Sequence, residues 1–200
     1  MTNRLVAVVP VFNEAATVGA VVRRLRAVCP VIVVDDASTD RSGARAVAAG
    51  AACVIRLACR AGKGAALRAG FTEALRRGAE AVATLDGDGQ HDPADLPRLR
   101  QAACRLPPAL VVGDRLGGGA GDRIPRTRRM AIGVADRFLR WLTRTAIRDT
   151  QCGFRVYPAA LLRAVVLREE GFVLETEVLV AAVRHGYPLI SVPVRSIYPP

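Results

Sequence analysis

Ala81-Val82-Ala83-Thr84-Leu85-Asp86-Gly87-Asp88-Gly89-Gln90-His91-Asp92 is the stretch on which the reading of this chain turns. Ala81 to Leu85 is a short, nearly continuous apolar run, which suits a strand buried on both faces of a parallel sheet. It runs straight into two carboxylates one residue apart. In open α/β sheets ligands sit beyond the carboxyl ends of the strands, so Asp86 and Asp88 stand where chemistry is expected. Two such carboxylates can turn toward one hard cation. Oxygen ligands suit Mg²⁺ or Mn²⁺, and the neighbouring glycines let a diphosphate approach the backbone closely. A calcium-binding EF-hand loop is excluded, because its sixth and twelfth positions would be His91 and Pro97 instead of Gly and Glu. Taken alone, the stretch also fits a plain Asp-Gly turn.

Working outward, the same strand-then-helix rhythm recurs on both sides. Leu5 to Val9 predicts a buried strand. A helix is predicted after it, with Asn13 as N-cap and Val18, Val21, Val22, Leu25 and Val28 on one face before Pro30. A strand from Val31 to Val34 is expected to end in Asp35-Asp36, and Thr39-Asp40 to open a short helix that stops near Gly50. A strand over 53–57 and a helix over 63–77, closed by Gly78, lead into the opening stretch. Beyond it the pattern predicts a helix over 95–105, a strand over 110–113, a glycine-rich loop over 116–126 and a long amphipathic helix over 128–147. The last quarter predicts a strand over 154–157, helices over 159–167 and 175–185, and a strand over 189–194. This alternation argues for one α/β domain over residues 1–200, with a mostly parallel sheet and right-handed crossovers. The final strand reads as though its continuation were missing, so an early stop is expected.

Composition narrows the partners. The 200 residues are 51% hydrophobic and carry a net charge of +11, with Lys63 the only lysine among 29 basic residues. Arginine recognises phosphate oxygens bidentately, which favours nucleotide diphosphates or lipid phosphates; an arginine-rich solvated surface without a message is the alternative. Nucleic acid fits poorly, since only 4% of the chain is aromatic and the arginines are dispersed. Five cysteines at irregular spacing with two histidines suggest reduced thiols, not a disulfide framework or a zinc site. The N-terminus is broken too early by Pro10 for a signal peptide, and no segment approaches the ~18 continuous apolar residues of a membrane span.

Four further classes fall on motif grounds. Gly62-Lys63-Gly64 lacks the upstream glycine and the Ser or Thr of a Walker motif, although a lysine beside glycines at a helix start can meet a phosphate. No Gly-x-Gly-x-x-Gly follows the first strand, which disfavours NAD and FAD. A receiver domain would need an Asp after the third strand and a late lysine, and a sugar nucleotidyltransferase would need a glycine-rich basic loop where Val11-Phe12-Asn13-Glu14 stands.

Together, Val9-Pro10-Val11-Phe12-Asn13-Glu14, Val33-Val34-Asp35-Asp36-Ala37-Ser38-Thr39-Asp40, Gly62-Lys63-Gly64-Ala65-Ala66-Leu67 and Asp86-Gly87-Asp88-Gly89-Gln90-His91 resemble, in order and spacing, the family 2 inverting glycosyltransferases. Gly113-Asp114-Arg115 and Asp149-Thr150-Gln151-Cys152-Gly153-Phe154-Arg155 resemble most the dolichol- or polyprenyl-phosphate mannose synthase branch. The resemblance implies a GT-A fold, the nucleotide-diphospho-sugar transferase fold, with three α/β/α layers. It implies transfer of a hexose from a GDP- or UDP-sugar to a lipid-linked phosphate, with Mg²⁺ or Mn²⁺, at the cytoplasmic membrane face.

Residue by residue, the resemblance implies that Pro10, Phe12, Glu14, Asp36, Lys63 and Asp86 receive the nucleotide-sugar, and that Asp86, Asp88 and Gln90 hold the metal. Arg115, Arg126 and Arg129, with Arg128 beside them, are the candidates for the acceptor phosphate. Asp88, Arg115 and Asp149 are the catalytic candidates, Asp149 serving as base if the acceptor is a hydroxyl. Glu175 and Glu177 are secondary candidates for the same work. Asp114 stands where many relatives carry Ser or Thr. Many relatives also carry C-terminal membrane helices, so contact with a membrane surface is expected through basic residues, the 116–142 region or a membrane-anchored partner. The alternatives are transfer to a hydroxyl of a lipid, polyene or glycan, and a non-catalytic nucleotide-sugar-binding domain.

Overall fold

Strand β1 (Leu5–Val11) is buried along its whole length and lies at the centre of the molecule, between β2 (Val31–Asp35) and β4 (Ala81–Thr84). The structure, a computed structural model, describes residues 4–105, 107–117, 133, 136–137, 145, 147–167 and 173–197. Seven strands form one sheet in the order β3-β2-β1-β4-β6-β5-β7, with β3 at Cys53–Arg56, β5 at Leu110–Asp114, β6 at Arg155–Pro158 and β7 at Leu189–Pro193. All neighbouring pairs are parallel except those made by β6, which runs against both β4 and β5. The apolar runs of β1, β2 and β4 have the composition that burial on both faces requires.

Helices α1 (Val18–Leu25) and α2 (Ser42–Ala48) pack on each other, whereas α3 (Gly62–Arg76) packs against β1 and β2 and against α5 (Ala159–Ala164) and α6 (Val173–Arg184). α4 (Leu96–Ala103) covers β5, β6 and β7. The chain steps outward from β1 through β2 to β3 and then returns past them to β4. With right-handed crossovers, that reversal puts α3 on the opposite face from α1 and α2 and yields three layers. It also opens a crevice beside the carboxyl end of β1, where the connections diverge.

Several expectations need correction. Asn13 is not a helix cap: its φ is +57°, and its Oδ1 accepts from the backbone N–H of Thr39, 2.8 Å away. Helix α1 starts after Thr17 and ends at Leu25, so Val28 falls beyond it and is 36% exposed. The segment after β7 makes contacts of its own. Ser196 bridges to His91, and Ile197 donates its N–H to the Gln90 carbonyl at 2.8 Å, which ties 194–197 to the Asp86–His91 loop. The glycine-rich loop over 118–126 and most of the predicted helix over 128–147 lie outside the described residues, and Arg126, Arg128 and Arg129 with them.

Candidate active site

Four segments leave the sheet at one edge and line a cleft of about 430 Å³: Pro10, Val11, Phe12 and Glu14 after β1, Asp36 after β2, Arg60 to Ala66 at the start of α3, and Asp86 to Asp88 after β4. Pro10 fits in a central strand because pairing to β4 ends at Val8 and Thr84, so no N–H is needed on that side at residue 10. The first two loops are sewn together by short side chains. Ser38 Oγ accepts from Asn13 N–H at 3.0 Å, Ser42 Oγ from Glu14 N–H at 2.7 Å, and Asp40 Oδ2 from Ala15 N–H at 3.0 Å. Asn13 and Ala37 both hold positive φ here, a conformation that persists only where surrounding bonds enforce it.

Asp36 is buried, and its two oxygens accept from Ala61 N–H at 2.7 Å and Gly62 N–H at 2.9 Å. It therefore anchors the N-terminus of α3 at the cleft wall, where a carboxylate complements the unpaired amides. Asp35 points away from the cleft and pairs with Arg56 Nη1 at 2.9 Å. Next to that anchor Arg60 stacks on the ring of Phe12, its Cζ 4.1 Å from the ring centroid. Sequence reading passed over Arg60, because nothing in a linear pattern sets a guanidinium against an aromatic 48 residues earlier.

The acidic pair sits at the floor. Asp86 Oδ1 lies 2.6 Å from Lys63 Nζ, and Glu175 Oε1 lies 3.4 Å from the same nitrogen. Burial alone would raise the Asp86 pKa, but the Lys63 ammonium outweighs it and holds the carboxyl below its ordinary value. For Lys63, burial pulls down while the charges of Asp86 and Glu175 push up, and the pKa ends above the usual lysine range. Glu14 moves the other way: burial raises its pKa, with the nearby Asp88 charge adding to the shift. A Cβ on Gly87 would stand 2.5 Å from Val11 Cγ1, and one on Gly153 would stand 2.5 Å from Asp86 Oδ2 and 2.9 Å from Lys63 Nζ. A side chain at either place would have to displace those neighbours. Gly153 belongs to the 149–155 motif, so the fold brings that distant motif against the acidic pair, and Thr84 Oγ1 secures it by donating to the Gly153 carbonyl at 2.8 Å.

Gln90 is not in the cleft. It lines the adjoining depression with Thr17, Arg24 and Pro93, beyond the turn in which Asp88 Oδ1 accepts from Gln90 N–H; Asp88 borders both spaces. His91, which the motif contains but which had been given no role, is 4% exposed and tilted against Phe154, with ring centroids 5.7 Å apart. Its burial lowers its pKa.

Arg115 and Asp149 are brought together, but to each other. Arg115 Nε and Nη2 reach the two Asp149 oxygens at 2.7 Å each, and Arg115 N–H adds a third bond at 3.0 Å. Asp149 is fully buried with φ +52°, and its N–H donates to Asp136 Oδ2 at 2.8 Å. This pairing bears on two expectations. A carboxylate enclosed by a bidentate guanidinium is not placed to take a substrate proton, and that guanidinium has two of its donors committed before any phosphate arrives. Arg155, also fully buried, donates to the carbonyls of Thr150, Cys152 and Glu175, and so locks the motif to the start of α6.

The fit to a divalent cation rests on the donor set. Two carboxylates end a rigid strand, glycine backbone surrounds them, and Asp86 is already seated against a positive charge. Among the described residues no three of His, Cys, Asp or Glu group as a ready-made metal site, so further ligands would come from a bound diphosphate.

The model of the family described as Glycosyl transferase family 2 matches residues 6–171, which take in all four walls of the cleft. The chain belongs to glycosyl transferase family 2. A polyprenol monophosphomannose synthase of Mycolicibacterium smegmatis is 31% identical to this glycosyltransferase over 205 residues, covering 96% of the chain and 77% of the relative. An undecaprenyl-phosphate mannosyltransferase of Micrococcus luteus is 30% identical over 201 residues, covering 96% and 82%. The glucosyl-3-phosphoglycerate synthase of Mycobacterium tuberculosis, solved with Mn²⁺ and UDP among other states, shares the fold at a TM-score of 0.73 and 22% identity; it covers all of this chain, which spans 74% of that one. The family 2 assignment and this fold match agree with the GT-A architecture read from the motifs. No helix among the described residues is long and apolar enough to cross a membrane.

Proposed function

We propose that this glycosyltransferase moves a hexose, with inversion, from a GDP- or UDP-sugar to a polyprenyl phosphate at the cytoplasmic face of a membrane, using Mg²⁺ or Mn²⁺ at Asp86 and Asp88. The observation that carries the donor half is the convergence of Phe12, Glu14, Asp36, Lys63, Asp86 and Asp88 on one cleft. Phe12 backed by Arg60 offers a flat face to a base, and Glu14, whose pKa burial raises, offers hydrogen bonds to base or ribose. Lys63, near the head of α3, would lend positive charge to the phosphates. A bound cation would neutralise charge developing on the departing nucleotide.

The acceptor half rests on two things. Relatives aligned over nearly the whole chain are named for polyprenyl-phosphate substrates. A phosphate oxygen is already ionised at neutral pH and needs no general base, which agrees with Asp149 being enclosed by Arg115. The phosphate would then be met by Arg60 at the cleft wall and by Arg126 and Arg129 from the segment outside the described residues. The test is transfer of labelled sugar from GDP-mannose, UDP-glucose or UDP-N-acetylglucosamine to undecaprenyl phosphate, against undecaprenol as the hydroxyl acceptor. Label in the phosphate-bearing lipid alone supports the reading. Label in undecaprenol alone defeats it.

A further inference from the structure

Glu175 is a buried carboxylate whose charge the reading above leaves without a task. It stands in the first turn of α6, 4% exposed, and among the described residues its Oε1 accepts no hydrogen bond. A buried carboxylate oxygen without a hydrogen bond is costly, so its retention calls for a partner in some state of the protein. The nearest cation is Lys63, whose Nζ lies 3.4 Å from that oxygen and 2.6 Å from Asp86 Oδ1.

Lys63 sits at the second position of α3, and α3 packs against α6, so the two acidic groups flank one side chain between rigid elements. A divalent cation on Asp86 would meet the ammonium at contact range, and like charges repel strongly where water is scarce. On one side Lys63 is walled by the Gly153 backbone, against which even a Cβ would lie 2.9 Å from Nζ. Among the described residues the second carboxylate within reach of Nζ is Glu175, and a shift of under ~1 Å closes that contact to the roughly 2.8 Å of a charge-assisted hydrogen bond.

We infer that Glu175 is the second seat of the Lys63 ammonium, occupied when a divalent cation takes Asp86. Glu175 is thus a positioning residue. It lowers the cost of displacing Lys63, and the same move tightens α6 onto α3 as the site loads. This rests on the reading that Asp86 takes the cation.

Because Lys63 is the only lysine, lysine labelled with ¹³C at Cε and ¹⁵N at Nζ gives a single side-chain signal for each nucleus. Mg²⁺ is titrated into the full chain with GDP and, separately, with UDP, while calorimetry follows binding. The expected result in the wild type is a saturable shift of the Lys63 Nζ and Cε resonances that tracks Mg²⁺ occupancy, with the ammonium protons still protected from water. In Glu175→Gln the signal should move to a solvent-exchanging position on loading, and Mg²⁺ should bind about tenfold more weakly, as for loss of an outer partner of a metal ligand. Glu175→Asp, which keeps the charge, should retain the protected signal. In a Lys63→Met background, Glu175→Gln should change Mg²⁺ affinity by less than about threefold, since no ammonium remains to be seated. Mg²⁺ binding with an unmoved Lys63 signal, or an equal effect of Glu175→Gln in both backgrounds, would overturn the inference alone. No Mg²⁺ binding with either nucleotide would overturn the metal reading, and the inference with it.

Discussion

The carboxylates on the two sides of the site are used in opposite ways. Around the cleft, Glu14, Asp86 and Asp88 border open space; Ser38, Ser42 and Asp40 pin the loop that carries Glu14, and Lys63 is seated against Asp86. In the second half, Asp136, Asp149, Arg115 and Arg155 are all buried and satisfy one another or backbone carbonyls. The first set is arranged to receive charge from outside, and the second to hold Gly153 against the first. Asp-containing motifs look alike in sequence, but only the direction of the side chain separates a ligand from a brace.

If that division is right, breaking the brace costs stability while altering the cleft costs binding. The largest effect is expected for Asp149→Ala, which leaves Arg115 buried without its partner. Chemical denaturation should report a loss of roughly 3–5 kcal/mol, a large share of a typical domain's stability. A loss below about 1 kcal/mol would return Asp149 to the list of residues available for chemistry.

Next is Gly153→Ala, where the added methyl must displace Asp86 or Lys63. Donor affinity should fall about tenfold, or ~1.4 kcal/mol, with the thermal midpoint moving far less than in Asp149→Ala. Equal donor affinity would show that the two motifs are not coupled.

A smaller effect follows from His91, which joins the two regions through Phe154. Its folded-state pKa lies below the ordinary imidazole value, so the unfolded chain binds the proton more readily. Stability is therefore fully present above the ordinary value of about 6.5 and is lost as pH falls through the window beneath it. Thermal midpoints should drop between neutral pH and about 5, and His91→Gln should flatten that dependence while lowering the neutral-pH midpoint. An unchanged slope in the variant would place the titrating group elsewhere.

The smallest effect is expected for Arg60→Ala, which removes an exposed cation–π contact worth ~0.5–1 kcal/mol. It should lower stability by no more than that contact is worth and weaken donor binding two- to fivefold. A much larger loss would mean that Arg60 touches the phosphates directly.

Much of the fold was legible because β1, β2 and β4 are apolar runs that end abruptly in polar residues, the signature of buried parallel strands feeding a ligand edge. The antiparallel setting of β6 was not, because Arg155-Val156-Tyr157-Pro158 carries no mark of direction. Of the site, Pro10, Phe12, Glu14, Asp36, Lys63, Asp86 and Asp88 were readable as residues that follow strands or open a helix. Arg115 and Asp149 were visible as a motif, but their pairing spans 34 residues and is a fact of packing. Glu175 was legible only as a secondary candidate for the base, since at helical spacing it could equally cap or solvate a helix. Only the approach of α6 to α3 reveals the lysine it faces.

The central claim is that Asp86 and Asp88 form a cation-dependent site for a nucleotide-sugar. Calorimetry with GDP-mannose, UDP-glucose and UDP-N-acetylglucosamine, with Mn²⁺ and with chelator, tests it on the wild type and on Asp88→Ala. The account predicts that one donor binds only with Mn²⁺ and that Asp88→Ala abolishes this binding. Binding that is equally strong in chelator, or unchanged in Asp88→Ala, would contradict it.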